Sequence, residues 1–180
     1  MQPVWLLLDV NGYICTAPIS LAESIHIPDS AVNREDIYLA LIPQIRFLVS
    51  GEQDRTANLA NITAALKEAF GFFWVGFYLV HGDQLVLGPF QGPVACTRIQ
   101  KGRGVCGAAW MEARTIVVAD VDAFPGHIAC SSFSKSEIVV PGFRNNEVIM
   151  VLDVDSDQLS DFSQVDEKYL REIMKIAEAL

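Results

Sequence analysis

The stretch Phe72-Phe-Trp-Val-Gly-Phe-Tyr-Leu-Val-His-Gly-Asp-Gln-Leu-Val-Leu-Gly-Pro-Phe90 decides the fold. Its apolar residues alternate between two faces, with Trp74, Gly76 and Tyr78 on one and Val75, Phe77 and Leu79 on the other. His81-Gly-Asp83 breaks the run, so residues 72–80 and 85–90 are predicted to form a β-hairpin.

On the N-terminal side the period is helical. Asn33 is an N-cap candidate for a helix to residue 51 (Ile37, Leu41, Ile45, Leu48), which Pro43 should end or kink. A second helix is predicted over residues 54–71, with Leu59, Ile62, Leu66 and Phe70 on one face. On the C-terminal side, strands are predicted at residues 95–99, 115–119, 137–141 and 147–155, with a short helix near 105–113. A closing helix starts at Ser163, with Asp166 at the capping-box position and Val165, Tyr169, Ile173 and Ile176 as its apolar stripe. Helices, a meander of strands and a final helix predict an α+β domain with an antiparallel sheet, over residues 33–180. Residues 1–32 read as an accessory extension, with a hairpin turn at Asn11-Gly12.

With 180 residues, 51% of them apolar, the chain can bury a full core as one domain. A net charge of −9 without a basic tract excludes nucleic acid and anionic membranes as natural partners, because such binding neutralises phosphates with Lys and Arg. No apolar run is long enough to span a bilayer, and residues 1–9 lack a basic n-region, so a cytoplasmic protein with a small substrate is expected. Four cysteines in a reducing compartment point to redox chemistry, metal binding or burial before a disulfide framework.

Cys130 follows Pro125-Gly126 and precedes Ser131-Ser132, turn formers that put its thiol on a loop. Cys96 and Cys106 bracket a segment carrying Arg98, Lys101 and Arg103, cations that favour thiolate, and Cys106 stands where a helix dipole would lower a thiol pKa. Simple burial is the alternative for any one of them. Zinc is a weaker alternative, since His127-x-x-Cys130 is the one closely spaced ligand pair. Asp153 and Asp155 fall on one face of an apolar strand, roughly 7 Å apart, and raise each other's pKa if water is limited. Glu137 joins them if its strand is a neighbour, making a cluster that binds an ammonium group or donates a proton. Trp74 and Tyr78, with Gly76 leaving room between them, suit a small apolar or sulfur-containing group, though sheet core is the commoner fate of such residues.

This assembly resembles the free methionine-(R)-sulfoxide reductases of the GAF-domain fold. The resemblance rests on Ala57-Asn-Leu-Ala-Asn61, Trp74-Val-Gly-Phe-Tyr78, Leu87-Gly-Pro-Phe-Gln-Gly-Pro-Val-Ala-Cys96, Gly102-Arg-Gly-Val-Cys-Gly107, Phe124-Pro-Gly-His-Ile-Ala-Cys130, Ser136-Glu-Ile-Val-Val-Pro141 and Leu152-Asp-Val-Asp-Ser156. It implies a GAF-like antiparallel sheet flanked by helices, a homodimer, no bound cofactor or metal, and regeneration by thioredoxin. It makes Cys130 the nucleophile on the sulfoxide sulfur, Cys96 the thiol that resolves the sulfenic acid as a disulfide, and Cys106 an auxiliary thiol. Glu137, Asp153 and Asp155 match the acids that hold the amino group of free L-methionine-(R)-sulfoxide and protonate its oxygen, and Trp74 and Tyr78 match the aromatic wall. The chain departs at Ser131, where the family pattern has aspartate, and at Met150, where it has glycine before Val-Leu-Asp. Two rival functions use the same fold: a GAF-type small-molecule sensor, and a peroxide-responsive thiol switch without sulfoxide turnover.

Overall fold

The computed structural model describes residues 24–126 and 133–180. The expected hairpin at Asn11-Gly12, Cys15, and the loop residues His127, Cys130 and Ser131 lie outside them.

Two helices packed against each other open the described chain. In α1 (Arg34–Val49) the Asn33 side chain accepts from the Asp36 N–H at 3.0 Å. Contrary to expectation the helix continues through Pro43. Proline cannot donate to the Leu39 carbonyl, and beside it the Gln44 side-chain amide donates to the Ala40 carbonyl at 2.8 Å, while Leu41, Ile42 and Ile45 hold both halves of the helix against the core. In α2 (Arg55–Phe70) Asp54 caps the start, and Gly71, at φ 67°, supplies the left-handed residue that ends it.

Six strands form one antiparallel sheet in the order β3-β2-β1-β6-β5-β4. They are β1 (Trp74–His81), β2 (Gln84–Gln91), β3 (Arg98–Gln100), β4 (Ile116–Val118), β5 (Ser136–Arg144) and β6 (Glu147–Ser156). Strand β3 is shorter than predicted: residues 95–97 lie outside it, although the Thr97 carbonyl accepts from the Leu87 N–H of β2 at 3.0 Å. Strand β5 runs past Pro141, where the sequence reading stopped. β4 begins opposite Val139 and runs away from Pro141, so Pro141 faces no strand on that side and its missing N–H breaks no ladder there. Asn145 and Asn146, both at positive φ (52° and 64°), make the two-residue turn that joins β5 to β6.

The alternation read from residues 72–80 holds in three dimensions. Val75, Phe77, Ile138, Leu152 and Val154 face a core shared with α1, α2 and α4 (Gln164–Glu178). Trp74, Tyr78, Val139 and Val151 face the other way, where α3 (Gly104–Glu112) covers them. Met150 belongs to the helical side, buried against that core, with its sulfur 3.2 Å from the Arg55 guanidinium. The departure at this position therefore alters packing on the face opposite Asp153.

The capping box of α4 is also a tertiary clamp. Asp166, fully buried, accepts from the Ser163 N–H at 2.8 Å, from the Tyr38 hydroxyl at 3.0 Å and from the Arg34 guanidinium at 3.0 Å, tying the starts of α1 and α4 together. No helix among the described residues is long and apolar enough to cross a membrane.

Candidate active site

Strand register assembles the site. β5 and β6 are neighbours, with Glu137 opposite Asp155 and Val139 opposite Asp153; on its other edge β6 sets Asp155 opposite Trp74 and Asp153 opposite Gly76. Cross-strand partners stand about 5 Å apart on one face. The three acids and two aromatics singled out in the sequence thus share one face, and α3 roofs it with Cys106 in its first turn. All six line a single cleft, together with Phe73, Arg103 and Ser134.

The acids sit in surroundings that disfavour charge. Glu137 is 6% exposed and Asp153 7%. Burial first, then the neighbouring carboxylates, pushes both far above the ordinary carboxylate range. Burial raises Asp155 to about 6, against the opposing effect of the Ser134 hydroxyl, which donates to its Oδ1. Asp153 Oδ1 has no hydrogen-bond partner although it is buried. A buried acceptor without a donor is costly, so this oxygen is suited to a donor or cation brought by a ligand.

Cys106 reverses an expectation. Its place in the first turn of α3 and the nearby cations predicted a lowered thiol pKa. In the structure the thiol is buried, stands 4.0 Å from Glu137 Oε1, and has its pKa pushed well up by burial and by Asp153 and Glu137. The cations turn elsewhere: Arg98 donates to Gln84 at 3.1 Å, and Lys101 lies over the Trp110 ring at 5.0 Å. Arg103 is the one basic side chain among the described residues that line the cleft. Desolvation and three carboxylates outweigh a helix terminus, so Cys106 holds its proton.

The aromatic wall differs from its expected form as well. The room above Gly76 is filled by the indole of Trp74: a Cβ at Gly76 would come within 2.3 Å of that ring. Phe90 stacks with Trp74 at 5.4 Å, and the Trp74 Nε1 donates to the Pro93 carbonyl at 3.1 Å. Tyr78 donates its hydroxyl to the Cys96 carbonyl at 2.9 Å, and burial with the nearby acids raises its pKa. These two residues form a rigid wall, and Tyr78 fixes the backbone of Cys96, which is itself disulfide-bonded. Cys106 is free. Sequence reading missed Phe73 and Ser134: Phe73 shares its strand run with seven other apolar residues, and a serine in a turn gives no sign that it donates to a carboxylate.

Comparisons with known proteins identify the family. The GAF domain family matches residues 52–180. GAF domain-containing protein A of Dictyostelium discoideum is 59% identical over 87% of this chain and 98% of its own. The free methionine-R-sulfoxide reductase of Escherichia coli is 44% identical over 79% of this chain and 87% of its own. The free methionine-R-sulfoxide reductase of Neisseria meningitidis, solved in complex with its substrate, is 56% identical over 86% of this chain and 94% of its own, with a TM-score of 0.83. An α+β fold with this six-stranded sheet, matched so fully by these relatives, means that the chain belongs to the GAF-domain family of the free methionine-R-sulfoxide reductases.

Proposed function

We propose that the protein reduces free L-methionine-(R)-sulfoxide to methionine with thiol electrons. The observation that carries this reading is the enclosure of Glu137, Asp153, Asp155 and Cys106 with the Trp74–Tyr78 wall in one cleft beside disulfide-bonded Cys96. Burial holds protons on Glu137 and Asp153, while Asp155, at about 6, gives its proton up more readily. An incoming ammonium group supplies the positive charge that lets part of the cluster ionise, while the remaining proton is available to the sulfoxide oxygen. A peptide-bonded residue brings no ammonium and would leave those acids without a partner, which gives selectivity for the free amino acid.

The Cys130 thiolate then attacks the sulfoxide sulfur as its oxygen is protonated, yielding methionine and a Cys130 sulfenic acid. Cys96 displaces water from that acid to form a disulfide, which prevents further oxidation. Thioredoxin returns two electrons and two protons by thiol–disulfide exchange, Cys106 serving as an auxiliary thiol. No cofactor enters this cycle. The same reading makes a cytoplasmic homodimer the working form.

The test is methionine release from the free R and S sulfoxides and from N-acetylated R sulfoxide, with dithiothreitol or thioredoxin, for the wild type and Cys130→Ser. Turnover of the free R form alone, lost in the variant, is expected. Absence of turnover with every sulfoxide would transfer the site to the ligand-sensing reading.

A further inference from the structure

The ligand atoms of Cys106, Glu137 and Asp153 all lie within 4.8 Å of one another, and all three residues are buried. The Cys106 Sγ stands 4.0 Å from Glu137 Oε1, and Asp153, 7% exposed, keeps its buried Oδ1 without a partner in a cleft that it lines. One thiol and two carboxylates on a rigid sheet and its covering helix make a donor set of the kind that takes a borderline-soft divalent cation.

We propose that Cys106, Glu137 and Asp153 form an inhibitory site for a divalent cation of the zinc type, which competes with the substrate's ammonium group for the same carboxylates. The inference rests on the ammonium-binding reading above for its competitive part and on the geometry for its binding part. Tetrahedral zinc holds sulfur and oxygen ligands at about 2.3 and 2.0 Å, which sets neighbouring ligand atoms roughly 3.3–3.6 Å apart. The three side chains reach that arrangement by closing about 1.5 Å or less, and the fourth position stays open to water. Binding forms one metal–sulfur and two metal–oxygen bonds and releases to solvent the thiol proton and whatever protons the two carboxyls carry. No electron is transferred. A cation here occupies the position that the ammonium group would take and leaves the acids no proton to give to the sulfoxide oxygen.

Cobalt(II) reports such a site directly, because a thiolate ligand produces a charge-transfer band. Full-length protein, prepared without reductant, is titrated with cobalt chloride, then with zinc chloride, and separately with free methionine sulfoxide. Expected are one cobalt per chain, a thiolate band that zinc bleaches, and displacement of cobalt by the sulfoxide. Cys106→Ser should lose the band, and Asp153→Asn, a near-isosteric change, should weaken binding at least about tenfold. Absence of the band in the wild type, its persistence in Cys106→Ser, or indifference to the sulfoxide overturns the proposal. Sulfoxide turnover on the same metal-free preparation separates the two readings. Turnover without a cobalt band removes this inference alone, whereas a Cys106-dependent band without turnover supports the metal site and removes the reductase reading.

Discussion

At the scale of single residues the site is governed by where protons reside. Glu137, Asp153 and Asp155 all bind protons more tightly in the fold than in an unfolded chain, for which carboxylates titrate near 4. The native state therefore holds more protons over this range, and its stability falls as pH rises. That contribution is complete below about pH 4, is lost through about 6 as Asp155 ionises, and declines further as the two more strongly shifted acids follow. Denaturant titrations at about pH 5 and pH 8 should show lower stability at the higher pH, and Asp153→Asn should flatten that dependence by removing both a charge and its repulsion. Gly76 allows a second prediction. A methyl group there would meet the Trp74 ring at 2.3 Å and Phe90 Cβ at 2.5 Å, so Gly76→Ala should cost about 1–3 kcal/mol and displace the indole, seen as a lower Tm and a shifted tryptophan emission. Alternation alone put Asp153, Asp155, Trp74 and Tyr78 on the right face. It carried no information on burial, which is why the Cys106 thiol, placed by charge and helix position, was expected to titrate in the wrong direction.

At the scale of elements, caps and turns are where local sequence and tertiary contact meet. Ser163 and Asp166 were legible as a capping box because both halves lie within one turn of each other. The reach of Asp166 to Arg34 and Tyr38 was not, because those residues lie more than 120 positions away. The two roles separate by mutation. Ser163→Ala removes a cap and should cost about 1 kcal/mol, whereas Asp166→Ala also leaves Arg34 and Tyr38 without their shared acceptor and should cost about 3 kcal/mol. Urea unfolding of both variants measures the difference. The Asn145-Asn146 turn has positive φ at both residues, which Asn tolerates and Gly adopts freely, so Asn146→Gly should raise stability by roughly 0.5 kcal/mol in the same assay. Pro43 and Pro141 both misled the sequence reading for one reason. A proline's cost depends on whether its missing N–H had a partner and whether neighbours hold the chain, and neither is a local property.

At the scale of the whole molecule, one sheet serves two purposes: its helical face carries the larger core, and its other face carries the cleft. Both cores are built on the central strands β1, β5 and β6, so the protein should unfold in one transition. Reduction should lower its midpoint without splitting it, since the Cys96–Cys130 disulfide of the proposed cycle closes a loop of roughly 35 residues, a constraint worth about 3–4 kcal/mol. Thermal scans with and without dithiothreitol check this, and an unchanged midpoint would speak against that pairing. The amino-acid sequence by itself determined the helices, the strands, the two faces of the hairpin and the chemical types gathered for the site, because periodicity of 3.6 or 2 and the preferences of caps and turns act over a few residues. The tertiary structure alone decided that β5 lies beside β6, that α3 roofs the acids and seals Cys106 among them, and that Trp74 fills the space over Gly76. Those outcomes depend on register and desolvation between segments far apart in the chain, and desolvation is what turns Glu137, Asp153 and the Cys106 thiol into proton-holding groups.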